Sequence, residues 1–147
     1  MGRTAIRKLV ELLGVGYTLL LLYWMFRGFG RSDLGLERIQ FNLIPFRTIW
    51  HYVGSVGPGN WLHPLINIGG NIGVFVPFGL LIPLWLRGCW SYPGFLYIFT
   101  AGIVVLEVAQ TFLEVGTGDI DDWILNTVGG SIGYVLSRRY VSHRLDL

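Results

Sequence analysis

Apolar residues along this chain gather in four runs, at about residues 9–26, 65–86, 94–113 and 123–137, and polar residues gather between them. None of the runs alternates with a period of two. The first three approach the ~20 residues that carry a helix across a ~30 Å hydrocarbon core. The pattern therefore predicts an all-α membrane fold, a small polytopic bundle of four transmembrane helices forming one domain over residues 1–147. The fourth run is short in fully apolar residues, but Asp122 and Arg138 can flank a span that tilts or thins the bilayer. The second holds Gly69, Gly70, Gly73 and Gly79, which permit close helix approach, and Pro77 and Pro83, which predict kinks.

The long connection from Arg27 to about Pro64 has a different texture. Arg31, Asp33, Glu37, Arg38 and Arg47 are interleaved there with Phe41, Leu43, Ile44, Phe46, Ile49, Trp50 and Trp61. Such mixing predicts an amphipathic segment lying on the membrane interface. Pro45, Gly57, Pro58 and Gly59 divide it, leaving room for one or two short helical turns.

Composition agrees with the pattern. At 52% hydrophobic and 14% charged, with a mean hydropathy of +0.55, the chain falls well below the roughly 25% charge of a soluble domain. A net charge of +2, scattered over termini and loops, gives no nucleic-acid stripe. Cys89 is the single cysteine, so neither an intrachain disulfide nor a cysteine metal cluster forms, and it reads as a packing residue. Arg3, Arg7 and Lys8 precede the first run as in a signal peptide. Tyr23-Trp24-Met25-Phe26-Arg27, however, offers no small-residue cleavage site, which predicts an uncleaved first span with an aromatic belt.

Charge also orients the spans. Arg3, Arg7, Lys8, Arg87, Arg138, Arg139 and Arg144 fall on one side, and Arg27, Arg31, Arg38 and Arg47 on the other. The richer side is expected in the cytoplasm, with both termini of this multi-pass cell-membrane protein. The 27–64 connection and the acidic 114–122 loop then lie outside.

Polar residues converge on that outer side. Asn67 and Asn71 share a face near the start of the second run, Glu107 and Gln110 a face near the end of the third, and Asp122 and Asn126 a face at the start of the fourth. At ~1.5 Å per residue, all three pairs fall within roughly 10 Å of one interface. Asp119 and Asp122 are also placed to cap the fourth helix. Three carboxylates in four positions exceed what a cap requires, and like charges repel, so a cation is expected nearby. Arg47, in Asn42-Leu-Ile-Pro45-Phe46-Arg47, is the candidate, since arginine grips carboxylate and phosphate alike. Asn71 and Asn126 either tie neighbouring helices together or face a ligand. Glu107 fits packing least well, because leucine would serve better and no cap needs a carboxylate there. Gly129 and Gly133 have the spacing of a packing motif. His51 and His63 are near enough in sequence to join carboxylates around a metal, but nothing in their spacing requires it, so no metal or cofactor is assigned. No G-x-S-x-G elbow, H-E-x-x-H helix or phosphate-cradling loop is present, which weighs against an enzyme without settling the matter.

Four motifs in order resemble the VanZ-like family of bacterial membrane proteins. They are Asn42-Leu-Ile-Pro45-Phe46 with Arg47; Asn67-x-x-Gly70-Asn71-x-x-x-Phe75-x-Pro77-Phe78-Gly79; Glu107-x-x-Gln110; and Asp119-x-x-Asp122-x-x-x-Asn126-x-x-Gly129. Many members carry an arginine between the last two motifs, where the register here puts Gly116, so one expected counter-ion is missing. The resemblance implies a cell-envelope role in resistance to the glycopeptide teicoplanin, with the drug or a cell-wall lipid engaged at the outer leaflet. It implies a polar recognition site of Arg47, Asn67, Asn71, Glu107, Gln110, Asp119, Asp122 and Asn126, with membrane lipids as surroundings. Two alternatives stand beside it. One is a membrane enzyme acting on a lipid headgroup, with Glu107 or Asp122 as general base or metal ligand; the other is a bundle locked by these groups with no ligand.

Overall fold

The computed structural model describes residues 3–27 and 41–141. Arg31, Asp33, Glu37, Arg38 and Arg144, which figure in the interfacial and orientation expectations, lie outside that range. Five α-helices follow in order: α1 (Arg3–Arg27), α2 (Arg47–Gly54), α3 (Leu62–Trp85), α4 (Tyr92–Phe112) and α5 (Ile120–Leu136). A 3-10 turn, Arg87–Trp90, joins α3 to α4, and a π turn, Ser137–Val141, extends α5. The fold is all-helical apart from one feature that hydropathy did not predict. Phe41–Asn42 (β1) and Gly118–Asp119 (β2) form a two-residue parallel bridge, with Phe41 opposite Gly118 and Asn42 opposite Asp119.

Among the described residues, three helical stretches are long and apolar enough to cross a membrane: Lys8–Arg27, Leu62–Trp85 and Tyr92–Phe112. Helix α5 has 17 residues, a rise of about 26 Å, which falls short of a ~30 Å core unless the π turn adds to it. The expected interfacial connection contains one helix of eight residues, α2, and α3 continues through both Pro77 and Pro83.

Local signals explain the boundaries. Ser91 caps α4 by accepting from the Gly94 N–H at 3.3 Å, with Pro93 in the first turn, where its missing N–H costs nothing. At the other end of α4, Val115 N–H bonds the Gln110 carbonyl and Glu114 N–H the Thr111 carbonyl, while Glu114 takes a positive φ of 57°. That is a Schellman turn with glutamate in the position glycine usually fills.

Glycine decides how α3 and α5 meet. A Cβ at Gly129 would fall on the Ile72 carbonyl oxygen, one at Gly133 on the Val76 carbonyl oxygen, and one at Gly79 on the Gly130 carbonyl oxygen. Both contact partners advance by four residues together, so the two helices run parallel with their backbones touching. Helix α4 runs opposite to them: Phe99 packs on Gly130 and Phe95 stacks on Tyr134, with ring centroids 4.9 Å apart. Tyr134 donates its buried hydroxyl proton to the Trp90 carbonyl at 2.8 Å, as a buried phenol must. Helix α1 is also antiparallel to α3, since Gly14 meets Trp85 while the Tyr17 hydroxyl bonds the Val74 carbonyl at 2.8 Å. Phe75, Phe95, Phe99, Ile103 and Tyr134 form the centre of the core.

These directions bring the end of α1, the start of α3, the end of α4 and the start of α5 to one end of the bundle. Helix α2 lies over the same end.

Candidate functional site

Asp121, in the first turn of α5, is fully buried. Its carboxylate accepts main-chain N–H bonds from Phe46 (2.5 Å), Thr48 (2.7 Å) and Ile49 (3.1 Å). Phe46 turns into the left-handed region, with φ 65°, and has no side-chain cap to offer α2. That conformation costs a non-glycine residue about 1–2 kcal/mol, and it aims the N–H groups of Phe46, Thr48 and Ile49 at one point while that of Arg47 bonds the Ile44 carbonyl. Asp121 therefore caps α2 from across the fold, where charge-assisted bonds of about 1.5–3 kcal/mol each outweigh the strain.

Asp119 completes the junction. It caps α5 by accepting from the Asp121 N–H at 2.8 Å, as its position in sequence predicts. It also accepts from the Thr48 hydroxyl at 2.6 Å and from the Asn42 amide at 3.2 Å, and that amide bonds Thr48 Oγ1 at 2.9 Å. The β1–β2 bridge sets this register, and Gly118 permits it because a Cβ there would meet the Phe41 ring. Arg47 opens α2 within this segment with its side chain exposed. Among the described residues, the groups that bond Asp119 and Asp121 are Asn42, Thr48 and main-chain N–H groups, and the Arg47 guanidinium is not one of them.

Beneath α2 lies a second polar layer. Asn71 donates its amide to Asp122 at 2.7 Å, tying α3 to α5. Asn126, one turn deeper on the same face of α5, is 2% exposed, and its Oδ1 has no hydrogen-bond partner among the described residues. The Trp123 indole N–H is likewise buried without a partner. Tyr52 reaches over this layer from α2, its ring 5.7 Å from that of His63. Burial first, then the Asp122 and Asp119 carboxylates, hold the Tyr52 hydroxyl above the usual tyrosine range.

The remaining predicted residues are placed separately. Gln110 is buried and donates to the Met25 carbonyl at 2.7 Å, meeting one of the open carbonyls at the end of α1. Glu107 is half-buried, and its carbonyl accepts from Thr111 Oγ1 at 2.8 Å. Asn67 bonds back to the His63 carbonyl at 2.9 Å within α3. Thus Asn71, Asp122 and Asn126 share the α3–α5 face, Asp119 holds the overlying segment, and Gln110 faces α1. Sequence reasoning passed over Asp121, Thr48 and Asn42 as site residues. The density of carboxylates at 119–122 was the one signal for Asp121; the main-chain donors that answer it carry no sequence signature. Among the described residues, no group of three or more His, Cys, Asp or Glu side chains is arranged to hold a metal ion.

An acidic and amide-lined layer of this kind can accept hydrogen bonds from a polar group while apolar helices surround it. The comparisons agree with the four-motif resemblance. Residues 14–141 match the model of the VanZ/LLP1 family. Protein VanZ of Enterococcus faecium is 32% identical over 114 residues, covering 76% of this chain and 70% of that protein. No solved structure matches. With a family match across most of its length and a relative of this closeness, the chain belongs to the VanZ/LLP1 family.

Proposed function

We propose that this protein acts in the cell envelope and lowers susceptibility to glycopeptide antibiotics of the teicoplanin type, through the polar layer at the α2-covered end of the bundle. Family membership over residues 14–141 carries the reading. The chain crosses the membrane four times, α5 and its π turn supplying the fourth crossing, with both termini in the cytoplasm and α2 at the outer leaflet. The Lys and Arg distribution supports that orientation. The exposed aromatic residues Phe41, Phe46, Trp50 and Trp61 lie at the end where α2 sits and suit an interfacial belt, which supports placing that end at a membrane surface. The polar group recognised there belongs to the drug or to a cell-wall lipid, and lipid surrounds the apolar helix faces.

Deleting and overproducing the protein in its host tests the reading. Teicoplanin susceptibility should rise on deletion and fall on overproduction. Unchanged susceptibility in both strains would remove the proposed role.

A further inference from the structure

The polar layer carries a feature that the family reading does not require. Asn126 is 2% exposed and its Oδ1 is unpaired among the described residues, although a buried amide oxygen without a partner is costly. It lies about 6 Å, one helical turn, below Asp122 on the face of α5 that meets α3. Above that face sits the segment Phe41–Gly54. It is fastened to α5 by hydrogen bonds converging on Asp121 and Asp119. Its outward surface is apolar, with Leu43, Ile44, Phe46, Trp50 and Val53 all exposed, and no residue of α2 is buried. Polar bonds at its N-terminal half hold this segment down, and hydrophobic packing contributes little.

We propose that the segment Phe41–Gly54 is a hinged strap, latched by Asp121, whose opening admits the hydrogen-bond donor of a ligand to Asn126. The structure is the closed state. Asp121 is a positioning residue here: its carboxylate gathers the Phe46, Thr48 and Ile49 N–H groups and touches no ligand. Opening swings the short α2 away from the start of α5, freeing the approach to Asn71, Asp122 and Asn126. Such a motion needs only local unfolding of the latch, and segments that open for ligands are drawn from the weakly packed parts of a fold. The proposal rests on the polar layer being a ligand site, yet its test reads access and not drug susceptibility, so the two can fail separately.

The test uses the full chain with Cys89→Ala and Asn126→Cys, so that the introduced thiol is the only one, and follows its reaction with N-ethylmaleimide. With Asp121 intact the thiol should react slowly. Adding Asp121→Asn should speed labelling by roughly tenfold or more, the factor supplied by about one charge-assisted hydrogen bond. In the otherwise unaltered protein, Asp121→Asn should release the amides of 46, 48 and 49 to hydrogen exchange while those of α3 and α4 stay protected. Should Asp121→Asn unfold the bundle, Thr48→Val, which removes the hydroxyl that donates to Asp119 and accepts from Asn42, is read in its place and should also speed labelling. Equal labelling rates with and without the latch would overturn the proposal, as would rapid labelling with Asp121 intact. Loss of protection throughout the bundle in both variants would overturn it too.

Discussion

Replacing Gly129 by alanine tests the α3–α5 contact on which the placement of the polar layer depends. The added Cβ would fall on the Ile72 carbonyl oxygen, where ordinary contact needs roughly 3.4 Å. A backbone oxygen inside a helix cannot rotate aside, so the helices must separate by about 1 Å or more. Overpacking of this kind costs about 1–3 kcal/mol, which lowers the unfolding midpoint of a chain this size by roughly 3–10 °C. The same displacement stretches the 2.7 Å bond from Asn71 to Asp122 two turns away, and a 1 Å extension takes it beyond hydrogen-bond range. Gly102→Ala is the internal control: nothing lies within 4 Å of a Cβ there, so gaining alanine inside α4 should leave the midpoint unchanged or raise it slightly. Thermal unfolding of the purified protein in detergent, followed by tryptophan fluorescence, compares the two. Equal midpoints for Gly129→Ala and Gly102→Ala would refute the claim that the backbones touch.

Other predictions follow from single residues. Glu114→Gly relieves the φ of 57° at the end of α4 and should stabilise the protein by about 0.5–1 kcal/mol, read as a higher unfolding midpoint. The Tyr52 hydroxyl is held above its ordinary range by burial and by the Asp122 and Asp119 carboxylates. The neutral phenol is therefore the form the fold favours, and its contribution is complete below the unfolded value near 10 and lost as pH rises through the folded one. Tyr52→Phe should accordingly unfold less readily than the parent once the pH rises above about 10 and equally at pH 8, an expectation that parallel pH titrations of the midpoint can check. Gln110→Leu leaves the Met25 carbonyl without its donor and should cost about 1 kcal/mol, measured by the same melt.

Much of the helical framework was legible because it depends on runs of residues. The apolar stretches anticipated the three long helices α1, α3 and α4, although α1 begins at Arg3, six positions before its run, because an apolar run marks length and continuity and not a helix start. Asp119 was recognisable as a cap because capping is local. Gly129 and Gly133 announced a close approach, but the partner surface is the carbonyl row at Ile72 and Val76, which has no side-chain signature. Asp121 was hidden for the same reason. Its partners are the main-chain N–H groups of 46, 48 and 49, brought near by a left-handed Phe46 and a 75-residue separation that no local pattern encodes. The i,i+4 spacings put Asn67 on the Asn71 face, whereas the Asn67 amide turns back to its own helix at His63. Spacing fixes the face and leaves open the bond a short amide finds first.

The proposed function places the protein's action in the layer joining α3 to α5 at the covered end of the bundle. The direct measurement is the teicoplanin susceptibility of a host making Asp122→Asn at the same membrane abundance as the parent. Susceptibility should then equal that of the deletion strain. Full protection by Asp122→Asn at equal abundance would rule that layer out as the site of action.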